Sequence, residues 1–149
     1  MEKMEDLVIR HFNDNDMFCR RNGIRITEKR EGYARAEVLI EKHHVNGMNN
    51  VQGGVLFTLA DFALAAAACT DVGRGVSMHC SITYYKTGKL GDLIIAEAVE
   101  DNRTRRTATC LVRIHTQRKK DDGTTEDITL AHAEGIVALF DIKLGPDGK

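Results

Sequence analysis

The sequence predicts an α+β fold in which a sheet of antiparallel strands packs around one long helix. Three observations predict it. The stretch from Gly53 to about Thr70 is rich in Ala and Leu, lacks Pro, and spaces Val55, Leu59, Phe62, Ala63 and Ala66 at three and four residues. From Val76 to Phe140 the chain reads instead as successive strands, each broken by turn-formers or a run of charges. Ahead of the helix, Ala34, Ala36, Val38 and Ile40 alternate with Arg35 and Glu37, the period-two pattern of a strand with one buried face.

Taken in order, residues 2 to 13 bring Leu7, Val8, His11 and Phe12 to one side of a short helix, and residues 1–22 form a helical cap. Ile24 to Thr27 and Tyr33 to Ile40 make a hairpin turning at Glu31-Gly32. A polar loop, 41–52, leads into the long helix. That helix is apolar nearly all round, which predicts burial, and Ala60, Ala63 and Ala65 to Ala68 leave its backbone open to close approach. Gly73-Arg74-Gly75 ends it. Four strands follow, at about Val76 to Lys86, Asp92 to Glu100, Thr107 to Gln117 and Asp127 to Phe140, and their short connections favour a meander. The main domain spans 23–142, and 143–149 reads as a disordered tail.

At 149 residues the chain is sized for one domain, and a net charge of −1 with 29% charged residues gives no reason to expect nucleic acid or membrane as a partner. No apolar run approaches the ~20 residues of a spanning helix, and MEKMEDLVIR lacks a signal-peptide core, so the expected location is the cytoplasm. Cys19, Cys69, Cys80 and Cys110 are far apart with no C-x-x-C pair, and His43-His44 has no carboxylate at ligand spacing, so no metal site is expected.

The most informative segment is His44 to Asp61, HVNGMNNVQGGVLFTLAD. Asp61 sits among Leu59, Ala60, Phe62 and Ala63, so either a buried partner offsets its desolvation or it lines a cavity where its charge is used. Gly53 opens the helix, so its N–H has no intrahelical acceptor and has the positive end of the helix dipole behind it. That makes it a ready oxyanion donor, although Gly53-Gly54 also suits a plain tight turn. Gly54 leaves room for a ligand chain or a neighbouring helix.

Asn46, Gly53-Gly54, the Leu59-Ala60-Asp61 step and the later SITYYKTGKLGD together resemble the hotdog-fold acyl-CoA thioesterases of the phenylacetate-degradation (PaaI-like) type, over roughly residues 20 to 140. Asn46, Gly53, Gly54 and Asp61 match the family's loop-helix pattern, whereas Gln52 stands where many members carry His. The resemblance implies a curved antiparallel sheet wrapped round one long helix. It also implies protomers joined edge to edge as a homodimer, commonly a dimer of dimers, with active sites at the interface. It further implies that Asp61 is general base or nucleophile, that the Gly53 N–H polarises the thioester carbonyl, that Asn46 and Gln52 help place substrate, and that Ser77 orients water.

On that reading the reaction is hydrolysis of an acyl thioester to a free acid and coenzyme A, with coenzyme A as part of the substrate and no separate cofactor. Eight residues of helix separate Gly53 from Asp61 by about 12 Å, so one carbonyl can meet both only if they come from different protomers. Antiparallel packing of two helices through their alanine-rich faces would permit this. Gln52 can hydrogen-bond but not titrate, and it serves equally well as a loop-to-helix hydrogen bond. Asn46-Gly47 is also an ordinary turn signal. Arg103, Arg105 and Arg106, with Thr104, cluster on one turn and would suit coenzyme A phosphates, or they form a solvated hairpin end in which Thr104 caps the turn. Val55, Phe57, Leu64 and Tyr84 could line an acyl tunnel or belong to the core. The competing readings are a non-catalytic acyl-CoA binder or sensor, disfavoured as a transcription factor because residues 1 to about 22 cannot hold a helix-turn-helix, and a hotdog dehydratase, disfavoured by Gln52.

Overall fold

A computed structural model describes residues 1–70 and 75–140. Helix α1 (Met4–Asn15) and a short α2 (Met17–Arg21) precede strands β1 (Arg25–Arg30) and β2 (Tyr33–Leu39). A 3-10 turn at Lys42–His44 leads to α3 (Gly53–Ala68), followed by β3 (Gly75–Tyr84), β4 (Leu93–Arg103), β5 (Thr107–Lys119) and β6 (Thr125–Leu139). All strands join one six-stranded antiparallel sheet in the order β1-β2-β4-β5-β6-β3. The sheet closes round α3, the α+β arrangement expected.

Three expectations need correction. The last four strands are not a simple meander: β4, β5 and β6 are, but β3 lies at the far edge against β6, and β4 instead pairs with β2. Helix α3 carries the chain from β2 to that far edge, and the link from β3 to β4 returns beside the start of α3. There Val51 donates to the Gly88 carbonyl and Asn50 bridges Lys89. Gly75 belongs to β3 rather than to the helix stop, and α3 ends at Ala68; 71–74 lie outside the described residues, as does the tail 143–149. The sequence reading also missed α2, whose N-cap is Asp16, accepting from Cys19 N at 2.9 Å.

The alanines explain how the sheet closes. Ala34 pairs with Ala98 and Ala36 with Ala96, all fully buried, so β2 and β4 present a shallow floor to α3. On the helix, Ala60, Ala63, Ala66, Ala67 and Ala68 are buried in the chain's own sheet. The alanine-rich face is therefore consumed within the protomer and cannot serve as a helix–helix contact. Nine of the sixteen residues of α3 are buried, and the stripe left uncovered is Gly54, Phe57, Thr58, Asp61 and Ala65. The two carbonyls at the end of α3 are met by cations: Lys29 Nζ reaches Ala67 O at 3.1 Å and Arg103 Nη2 reaches Ala68 O at 2.5 Å.

Helix α1 seals one side. Val8 is buried, Phe12 packs edge-on against Phe62 with ring centroids 5.5 Å apart, and the Asn13 amide bonds both Ile26 N and Ile26 O where the β1 register slips. Among the described residues no helix is long and apolar enough to cross a membrane, and no cluster of His, Cys, Asp and Glu could hold a metal ion.

Closure of the sheet on α3 also depends on Gly135. A Cβ there would lie 2.5 Å from Leu64 Cδ2 and 3.1 Å from His79 O, and Leu64 is fully buried with nowhere to move. Gly135→Ala is expected to cost roughly 1–3 kcal/mol by overpacking, read as a lowered urea midpoint. A midpoint equal to wild type would show that the sheet opens there without strain.

Candidate active site

The polar loop before α3 is built around His44. Its Nδ1 accepts from Glu41 N at 2.9 Å, so Nε2 carries the proton and donates to Asn22 O at 2.7 Å, while its own carbonyl accepts from Gln52 N at 2.9 Å. A buried imidazole thus ties the loop both to the end of α2 and to the start of α3. Asn46 organises the outer part: Oδ1 accepts from Met48 N at 2.9 Å and Asn50 N at 3.2 Å, which supports the positive φ of 59° at Asn49. Its side-chain oxygen is occupied by the turn, and Asn46 is exposed.

Gln52 is the N-cap of α3, with Oε1 accepting from Gly54 N. That choice of oxygen turns the amide nitrogen Nε2 away from the cap. The carbonyl of Gly53 accepts from Tyr84 Oη at 3.0 Å. The peptide joining Gly53 to Gly54 is therefore gripped at both ends, by Tyr84 of β3 and by Gln52. Among the described residues nothing accepts the N–H of Gly53 itself.

Asp61 lies two turns further along on the uncovered stripe, half-buried. Of the two expectations for it, the structure removes the first: no hydrogen bond or ion pair to Asp61 is found among the described residues. Its negative charge acts on the thiols of Cys19 and Cys80. Cys80 is pushed up to about 11, chiefly by burial and then by the negative charge of Asp61. Burial, then Cys80, raises the Tyr84 phenol above its ordinary range.

Strand β3 borders this stripe as a sheet edge. A register slip between Ser77 and His79 shifts its alternation, so Ser77, Cys80 and Ile82 are all half-buried, while Val76 and Met78 are 60% and 62% exposed. Ser77 thus stands on the same border as Asp61. The arginine turn is elsewhere, at the C-terminal end of α3. Arg103 is committed to Glu100, at 2.7 and 2.9 Å, and to Ala68 O, so it does not point outward as the cluster reading supposed. The Thr104 hydroxyl accepts from Arg106 N and Thr107 N and closes the turn. Arg105 and Arg106 are exposed, and Arg105 lines a 120 Å³ recess with Arg103 and the end of α3.

A cleft of about 730 Å³ is on the other side of the sheet, where Tyr33, Glu97, Arg113 and His132 surround Val99 and Leu111. Neither Asp61 nor Gly53 lines it. The stripe of α3 and the edge of β3 form an open surface in one protomer and lack an opposing wall. His44 and Tyr84 are the residues that sequence reasoning undervalued. His44 was weighed only as a metal ligand and Tyr84 only as tunnel or core. The signal available for Tyr84 was its place in the SITYY alternation beside a helix-opening glycine.

An antiparallel sheet wrapped round one long central helix is the hotdog fold. The family model described as Thioesterase superfamily matches residues 48–121. A relative from Archaeoglobus fulgidus, an esterase by name, is 34% identical over 120 residues, covering 80% of this chain and 75% of its own. The acyl-coenzyme A thioesterase PaaI of Escherichia coli is 30% identical over 107 residues, covering 72% and 76%. The solved structure of the phenylacetic acid degradation protein PaaI from Thermus thermophilus superposes with a TM-score of 0.73 at 29% identity, over 84% of this chain and all of that one. The chain belongs to the thioesterase superfamily, in its PaaI-like branch, and is a thioester hydrolase.

Proposed function

We propose that this enzyme hydrolyses acyl-coenzyme A esters at a site shared by two protomers, with Asp61 of one working on a carbonyl held at Gly53 of the other. One observation carries the reading: a half-buried carboxylate and a helix-opening N–H, neither with a hydrogen-bond partner among the described residues, lie along one helix about 12 Å apart. A two-fold axis that sets two such borders antiparallel brings each Asp61 to the other protomer's Gly53. The contact runs along the β3 edge and the stripe Gly54, Phe57, Thr58, Asp61 and Ala65. The exposed Val76 and Met78 of the edge strand supply apolar area for it.

The thioester oxygen rests against Gly53 N–H, and the Gln52 amide nitrogen, turned outward by the cap, is a second donor for the oxyanion. Gln52 so does part of what a His there would do, without proton relay. Asp61 takes a proton from water, the hydroxide adds to the carbonyl, the C–S bond breaks, and the departing thiolate takes up the proton. Direct attack by the Asp61 carboxylate, with an anhydride then split by water, balances equally well. Ser77 on the border strand, and the Asn46 amide nitrogen at the loop, would hold water or substrate. Arg105 and Arg106 remain for the phosphates of coenzyme A, Arg103 being held inward.

Gly53→Pro tests the shared site. Proline suits the first helical position, and Gln52, with ψ of 132°, is already in the extended region that a residue before proline prefers. The substitution deletes the donor and presses lightly on Tyr84, so turnover is expected to fall about 10²- to 10³-fold. Equal mixing of Gly53→Pro with Asp61→Asn subunits, after unfolding and refolding together, should restore about a quarter of wild-type activity, since each mixed dimer has one intact site. No recovery in dimers verified to have exchanged subunits would place each site within one protomer.

A further inference from the structure

Tyr84 is half exposed, at 48%, yet it reaches from the edge strand to the first turn of α3. Its hydroxyl donates to Gly53 O at 3.0 Å, and its ring lies over the space that a side chain on Gly53 would fill, with Oη, Cζ and Cε1 at 3.2, 3.3 and 3.6 Å from that point. The Gly53 carbonyl already belongs to the helix ladder, so the phenol uses its second lone pair. It fixes the plane of the peptide that Gln52 holds from the other end. Tilting of this first turn would swing the adjoining Gly53 N–H with it. The ring is part-exposed beside Gly53.

We propose that Tyr84 is a positioning and specificity residue of the hydrolase, its hydroxyl fixing the angle of the Gly53 donor and its ring walling the acyl group beside it. The inference rests on the reading of Gly53 as the donor to the thioester. The hydroxyl and the ring have separable consequences. Loss of the hydroxyl loosens an interaction that matters most when charge develops on the carbonyl oxygen, so kcat suffers more than KM. Loss of the ring widens the space beside the carbonyl and favours bulky acyl groups.

The experiment measures thiol release from acetyl-, hexanoyl- and benzoyl-coenzyme A by wild type, Tyr84→Phe and Tyr84→Leu. Tyr84→Phe is expected to lose about tenfold in kcat on all three esters with KM within about twofold. Tyr84→Leu is expected to raise the benzoyl-to-acetyl ratio of kcat/KM about tenfold. A loss of folded protein alone would lower every rate in proportion and leave that ratio fixed, so the ratio separates specificity from structural damage. If Tyr84→Leu does not fold, the kcat and KM of Tyr84→Phe, taken on protein that its urea transition shows to be fully folded, still decide the role of the hydroxyl. Wild-type kcat in Tyr84→Phe together with an unchanged ratio in Tyr84→Leu, in an enzyme whose Asp61→Asn variant is inactive, overturns this inference alone. Absence of turnover by wild type on every ester overturns the reading of Gly53 and this inference with it.

Discussion

Asp61→Asn is expected to abolish thiol release from short, medium, long and aryl acyl-CoA esters, lowering kcat by about 10³-fold or more, while leaving the fold intact. The two halves of that expectation have different origins. An amide cannot accept a proton from water or form an anhydride, and loss of a positioned base costs about 10²- to 10⁴-fold. Stability should hold because the carboxylate has no hydrogen bond or ion pair among the described residues and is only half-buried, so the near-isosteric amide leaves nothing unpaired. A structural aspartate would behave in the opposite way, with activity falling only as far as the protein unfolds. The discriminating measurement is kcat beside a urea midpoint on the same preparation. More than a tenth of wild-type turnover in a fully folded variant would remove Asp61 from the chemistry.

The parts of this architecture that are local in sequence were legible, and the parts fixed by distant contacts were not. Alternation in Tyr33 to Ile40 and the three-and-four spacing after Gly53 specify a strand and a helix because each reflects a local backbone period. Sheet order is another matter. β3 is separated from β4 by a short link, and short links favour neighbours, yet β3 pairs with β6 because α3 has already carried the chain to the far edge. The alanines of α3 show the same limit. Small residues announce close approach, but nothing in the sequence says whether the approaching element is the chain's own sheet or another helix. Here the sheet takes them, and the stripe through Asp61 stays open.

The candidate site divides along the same line. The Gly53-Gly54 helix opening and Asp61 were readable because a helix terminus and a carboxylate in apolar company are conspicuous within a few residues. Arg103 was not, since its link to Ala68 O joins positions 35 residues apart. Nor was the ionic array on the outer sheet face, where His115 sits between Glu97 and Asp127 at 2.7 and 3.1 Å and Tyr33 donates to Glu97 at 2.8 Å. Those residues come from four strands brought into register only by folding.

The largest expected effect on stability is at Asp92, the last residue of the SITYYKTGKLGD motif. Its carboxylate accepts from Arg118 Nη2 at 2.6 Å and Nε at 3.1 Å and from Lys89 N at 2.8 Å, while Arg118 also donates to Thr87 O at 3.1 Å. One ion pair thus closes the whole β3–β4 link, and that link carries Val51 and Asn50 at the threshold of α3. The Asp92 side chain is 10% exposed and that of Arg118 is 25% exposed, so removing the carboxylate strands a largely buried guanidinium. Asp92→Ala is expected to cost about 3 kcal/mol, toward the low end for a broken buried pair because Arg118 keeps some contact with water. Burial by itself would raise the Asp92 carboxyl, but hydrogen bonds from Arg118 and the Lys89 N–H, with their charges, hold it below the ordinary 3.8. A carboxyl lowered on folding contributes stability that is present above its unfolded value and lost as pH falls through 3.8 toward the folded one. The gap between wild type and Asp92→Ala in urea unfolding should accordingly be wide at pH 7 and shrink as pH falls below 3.8. A gap of equal width throughout would mean that the aspartate acts through packing rather than through its charge.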